Sequence, residues 1–181
     1  KERGTGFTFN NKIVGGAIPR EFITSVEKGI KEAYENGVIA GFPVVDLEVD
    51  LIDGTFHDVD SSDIAFKIAG SLAFQTAVRA ANPVILEPIM KVEVTTPEEY
   101  MGDVIGDLSS KRGQISGSAQ RGNSRVITAE VPLSELGSYT TILRSLTAGR
   151  ADPYIELSHY EQLPTNLAEK LLKTPGADKP E

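Results

Sequence analysis

Between residues 89 and 159 the chain switches hydrophobic period in a set order, and no other feature restricts its fold as much. Residues 89–95 are rich in β-branched side chains and read as a strand. Tyr100, Met101, Val104, Ile105 and Leu108 then recur at helical spacing. Thr96-Pro97-Glu98-Glu99 in front of them reads as a capping box with Pro at the first helical position, and Gly113 closes the helix behind Lys111 and Arg112. Residues 114–120 and 124–131 flank the turn Arg121-Gly122-Asn123 and read as a hairpin. Pro132 opens a second helix with Leu133, Leu136, Tyr139, Leu143 and Leu146 inward, and residues 151–159 form the last strand. The order strand-helix-strand-strand-helix-strand is the ferredoxin-like βαββαβ arrangement, which hosts many functions and identifies none.

Upstream the signals are sparser. Residues 7–10 alternate weakly as a strand. Gly15, Gly16 and Pro19 mark a loop into a helix over 19–36, with Phe22, Ile23, Val26, Ile30, Ala33 and Tyr34 on one face and Gly37 as its stop. Val45, Leu47, Val49 and Leu51 alternate with Asp46, Glu48 and Asp50, which predicts a half-buried strand. Asp53-Gly54 reads as a hairpin-type turn with a short return over 55–57. Asp60 or Ser61 caps a helix holding Ile64, Ile68, Leu72 and Val78, and Asn82-Pro83 ends it. The fold class is α+β in two domains, 1–84 and 85–174, with a C-terminal helix over 166–173 and a disordered tail over 175–181.

Composition narrows the function. The 181 residues carry a net charge of −8, which argues against diffuse binding to nucleic acid. They contain no cysteine, hence no disulfide framework. No apolar run approaches the roughly 18 residues of a membrane span. The charge is uneven, however. Residues 109–150 hold Lys111, Arg112, Arg121, Arg125, Arg144 and Arg150 against only Glu130 and Glu135, which suits docking to a specific RNA site as well as ordinary surface charge.

The densest polar stretch is His57-Asp58-Val59-Asp60-Ser61-Ser62-Asp63. Three readings are open for it: divalent metal binding, helix capping, and an exposed recognition loop. The carboxylate spacing lacks the glycine and distal glutamate of an EF-hand, so no metal site is assigned. His57 stacks on bases in the recognition reading, and Ser61 and Ser62 bond phosphates or sugar hydroxyls. His159 reads as a strand-end packing residue. Gly102 and Gly106 fall in a helical pattern that packing explains better than phosphate binding. No G-x-S-x-G elbow and no G-x-x-x-x-G-K-[ST] loop occurs, so no catalytic residue is assigned.

Several segments resemble the C-terminal part of the elongation factor G family of translational GTPases. They are Val14-Gly15-Gly16-Ala17-Ile18-Pro19-Arg20-Glu21, residues 41–46, 57–70, 86–112 and 131–133. The runs LEPIMKVEVTTPEEYMGDVIGDLSSKRGQI and HDVDSSDIAFKIAGS are the most specific, and the resemblance covers residues 6–173. It implies a two-domain fragment: an incomplete βαβ-type fourth domain (ribosomal protein S5 domain 2-like) lacking its N-terminal strands, then a ferredoxin-like fifth domain. It implies no enzyme activity and no cofactor in the fragment, with GTP and Mg belonging to a GTPase domain of the parent. The implied partners are the ribosome and the tRNA–mRNA complex in a bacterial or organellar cytoplasm, with no membrane. The fragment is then a monomer, or a dimer paired through its open sheet edge. The resemblance puts His57, Asp58, Ser61 and Ser62 at the tip that enters the small-subunit decoding region. Lys111, Arg112, Arg121 and Arg144, chosen on charge, are the candidates for rRNA contact at the large-subunit GTPase-associated region. The alternatives are a recycling or ribosomal-protection paralogue, or a ferredoxin-like small-molecule enzyme or regulatory module. Leu136-Gly137-Ser138-Tyr139 departs from the family's usual Met-Phe-Gly-Tyr, and Asp152-Pro153 enters the last strand, where Pro favours an edge or a bulge.

Overall fold

The structure, a computed structural model, describes residues 1–173; the tail expected over 175–181 lies outside the described residues. The chain divides into two compact units. The first is built from β1 (Thr8–Asn11), α1 (Arg20–Asn36), β2 (Glu48–Leu51) and α2 (Asp63–Ala80). β1 and β2 pair in parallel, Thr8 opposite Glu48 and Asn11 opposite Leu51. A parallel pair needs a crossover, and α1 supplies it. The hairpin expected at Asp53-Gly54 is therefore not formed, because the partner of β2 is β1. Gly54 instead lies against Ile18, where a Cβ would stand 2.4 Å from Ile18 Cδ1.

The helices of this unit meet through glycine. α1 buries Ser25, Val26, Gly29, Ile30 and Ala33, and α2 buries Phe66, Gly70 and Phe74. This corrects the expected inner face of α2, since Ile64, Ile68 and Leu72 are exposed. α2 is apolar on nearly every side, so periodicity does not select a face. Glycine does: a Cβ on Gly29 would lie 1.9 Å from the Lys67 carbonyl oxygen, and one on Gly70 would lie 2.7 Å from that of Val26. The Phe22 and Phe66 rings stack at 4.7 Å on the same seam. Beside the sheet an apolar groove of about 600 Å³ opens between Leu47, Val49, Leu51 and the side chains of Phe66 and Phe74.

The second unit runs β3 (Leu86–Pro97), α3 (Met101–Ser110), β4 (Gln114–Arg121), β5 (Ser124–Pro132), α4 (Tyr139–Leu146) and β6 (Asp152–Gln162). Its antiparallel sheet has the order β4-β5-β3-β6, the ferredoxin-like arrangement. Val92, Val94, Ile127, Ala129 and Val131 from the sheet share a core with Val104 and Leu108 of α3 and Tyr139 and Leu143 of α4. Pro153 is accommodated because β6 is an edge strand. The last helix, α5 (Thr165–Lys173), groups with the first unit, although its sequence position suggested the second.

Three local expectations in this unit are corrected. Thr96 does not cap α3: it stays in β3, fully buried, and a 3-10 turn over Glu98–Tyr100 leads into the helix. The capping-box carboxylates face outward, Glu98 pairing with Arg125 at 2.9 Å and Glu99 with Arg150 at 2.6 Å. Pro132 ends β5 and caps a 3-10 turn over Leu133–Glu135, which leaves Leu133 exposed. Gly102 and Gly106 are not packing requirements, since a Cβ on either meets nothing within 4 Å. Where the family's motif has glycine, Ser138 adopts a left-handed φ of 60° just before α4.

Candidate nucleic-acid interface

The polar stretch over 57–62 is an exposed loop that organises itself. The His57 N–H donates to Ser61 Oγ at 3.1 Å, and the Ser61 N–H donates back to the His57 carbonyl at 3.1 Å. Ser62, not Asp60 or Ser61, is the cap of α2, its Oγ accepting from the Ala65 N–H at 3.1 Å. Ser25 Oγ donates to Asp63 Oδ1 at 2.6 Å and ties the start of α2 to α1. Ser61 and Ser62 each accept one backbone N–H, which leaves each hydroxyl its proton to donate and a second lone pair. His57 and Asp58 are fully on the surface, and Val59 between Asp58 and Asp60 is 93% exposed. The four residues expected here therefore sit together on one projecting loop.

The four basic candidates of the second unit do not behave alike. Arg112 binds Glu87 through both guanidinium nitrogens, Nη1 to Oε2 at 3.0 Å, and Glu87 is buried. This pairing raises the Arg112 pKa further above its already high value. Lys111 is half-buried over the Tyr139 ring and pairs with Asp107 at 2.5 Å. Arg121 and Arg144 are exposed and have no ion-pair partner among the described residues. Arg125 and Arg150 are paired as well. Counting charge over 109–150 overstated the basic face because the neutralising acids Glu87, Glu98, Glu99 and Asp107 lie before that window in sequence.

His159 is half-buried at the far end of the last strand, where its ring meets polar neighbours. It lies on the edge strand, its Nε2 2.8 Å from Glu161 and its Nδ1 2.9 Å from Ser158 Oγ. Among the described residues there is no group of three or more His, Cys, Asp or Glu side chains placed to hold a metal. No described helix is long and apolar enough to cross a membrane. One element at the His57 end escaped the sequence reading of the site. The loop over 12–19 also leaves the C-terminal end of a strand, and parallel pairing brings it beside the loop over 52–62. Gly15, Gly16 and Pro19 marked it as a loop and residues 14–21 carried part of the resemblance, but nothing in the sequence tied it to the His57 loop.

Comparison with known proteins agrees with this architecture. Residues 1–82 match the family of elongation factor G domain IV, and residues 84–171 match the elongation factor G C-terminus. An elongation factor G from Aquifex pyrophilus is 59% identical over 170 residues, covering 94% of this chain and 24% of that protein. A crystal structure of a Thermus thermophilus protein superposes with a TM-score of 0.81 at 44% identity, covering 93% of this chain and 26% of that one. The 181 residues belong to the elongation factor G family, as a C-terminal part of a translation elongation factor. The chain spans about a quarter of the length of the relatives it matches.

Proposed function

We propose that these residues are the ribosome-contacting C-terminal part of a translocation factor. The first unit carries His57, Asp58, Ser61 and Ser62 to the small-subunit decoding region, against the tRNA–mRNA complex. The second meets rRNA at the large-subunit GTPase-associated region. The observation that supports the reading is the loop over 57–62, in which Ser61 and Ser62 brace the backbone while His57 and Asp58 stand exposed. Of the basic candidates, Arg121 and Arg144 act on rRNA, while Lys111 and Arg112 serve mainly their carboxylate partners.

The full-length factor is in this reading a cytoplasmic GTPase of bacterial type that uses GTP and Mg²⁺. No G-x-x-x-x-G-K-[ST] sequence occurs in the 181 residues, so no nucleotide chemistry is assigned to them. The chain itself acts as a monomer in this reading, with pairing of two copies through the open sheet edge as the alternative. The test is pelleting of the chain with 70S ribosomes across a salt series. Saturable, salt-sensitive binding that full-length elongation factor G competes away is the expected result. Absence of binding overturns the reading for this chain.

A further inference from the structure

Resting on that reading, we propose that the loop over 12–19 supplies the phosphate contacts of the same RNA-facing end, with Arg20 as its cation. The need for such a contact comes from charge. The segment over 53–63 holds Asp53, Asp58, Asp60 and Asp63 against one histidine, so by itself it repels a phosphodiester backbone. A cation must reach the RNA from a neighbouring element.

Topology limits where that cation sits. Because β1 and β2 are parallel, the segments that follow them leave from the same end of the sheet. They are in contact there, with Gly54 against Ile18 and the Phe22 and Phe56 ring centroids 6.1 Å apart. Two basic residues stand at the ends of the loop over 12–19, Lys12 as its first residue and Arg20 just after it. Lys12 is engaged with Asp50 at 2.5 Å. Arg20 is exposed and has no ion-pair or hydrogen-bond partner among the described residues. Between them Gly15 and Gly16 have φ of +70° and +73°, and a Cβ on either would meet nothing within 4 Å. Both glycines are exposed and carry no side chain, so another backbone can approach the main chain closely there. Val14 beside them is 83% exposed.

The two loops then divide the work. A guanidinium beside an exposed glycine main chain suits phosphate, which fixes position, while an imidazole and hydroxyls suit bases and sugars. This places the attraction on one loop and the recognition on the other, and it explains how an acidic loop is held against RNA.

The test uses the absence of native cysteine. Single cysteines introduced as Val14→Cys, Val59→Cys and, as a control further along α1, Lys31→Cys each carry a tethered hydroxyl-radical source on the ribosome-bound chain. Val14→Cys and Val59→Cys are expected to cleave overlapping rRNA, and Lys31→Cys not to. In parallel, Arg20→Ala is expected to weaken ribosome binding about 3- to 10-fold and lower its salt slope by about 0.7–0.9, with Arg20→Lys restoring most of both. Cleavage from position 59 without cleavage from position 14, or an unchanged slope in Arg20→Ala, overturns the inference and leaves the proposed function standing. Cleavage from neither position overturns both.

Discussion

Gly29→Ala tests the packing of the first unit at its tightest point. The added Cβ would lie 1.9 Å from the Lys67 carbonyl oxygen, where ordinary contact begins at 3.4 Å. The obstacle is backbone on both sides, so no rotamer change relieves it. α1 and α2 must separate by roughly 1.5 Å along the seam that holds Val26, Ile30, Phe66 and Phe74. Overpacking costs about 1–3 kcal/mol and the opened seam forfeits further dispersion, while alanine returns up to about 1 kcal/mol of helix propensity. The net expectation is a loss of about 1–3 kcal/mol, confined to the first unit. Gly106→Ala is the internal control: its site is open, so the same substitution there should stabilise α3 by about 0.5–1 kcal/mol. Hydrogen exchange read by mass spectrometry separates the units, which a single unfolding midpoint does not. Peptides from α1 and α2 should lose protection in Gly29→Ala while those of α3 do not. Unchanged protection in α1 and α2 would refute the claim that these backbones touch.

Four further outcomes are expected. Arg112→Met should destabilise the second unit by about 2–4 kcal/mol by leaving buried Glu87 unpaired, and adding Glu87→Gln should recover much of that loss in urea unfolding. Ser138→Gly should raise the urea midpoint by the equivalent of about 0.5–1 kcal/mol, since glycine accepts the left-handed φ without the Cβ penalty. The N–H of Gly6, at 2.9 Å, with those of Gly4 and Thr5, holds the Asp46 carboxyl below its ordinary value of 3.8. The stabilisation is thus present above pH 3.8 and lost as pH falls through the lower folded value, so Gly6 amide protection should fall in acid for the native chain and show no such step in Asp46→Asn. His57→Ala in the full-length factor should slow translocation and spare ribosome-stimulated GTP hydrolysis; equal loss of both in paired assays would count against the tip role.

The ferredoxin-like unit was legible because its strands and helices differ cleanly in period and its turns carry Gly or Asn. The first unit was harder to read. Parallel pairing of β1 with β2 depends on a partner some 40 residues away, and Asp53-Gly54 carries a hairpin signal whichever strand β2 chooses. The face of α2 was misread because Ile64, Ile68 and Leu72 are as apolar as Phe66 and Phe74, and only two glycines decide between them. Caps were misplaced by one or two residues, as at Ser62, because Asp60, Ser61 and Ser62 are all competent caps and the geometry chooses. At the candidate site, the loop around His57 was visible as a dense polar run. The neutralisation of Arg112 was not, since its partner Glu87 is 25 residues away and meets it only once the unit is folded, whereas the pairing of Lys111 with Asp107 is a local i,i+4 contact that helical spacing already offered.

The glycine contact between α1 and α2 has a mechanical consequence. Each helix is about 26 Å long at the usual rise per residue, and both begin at the end that bears the loops over 12–19 and 52–62. Most helix pairs touch through flexible side chains, which shear under load. Here main chain rests on main chain at Gly29 and Gly70, and Ser25 clasps Asp63 near the leading end. A push delivered at the loops is carried as compression along two braced rods, with little side-chain layer to absorb it.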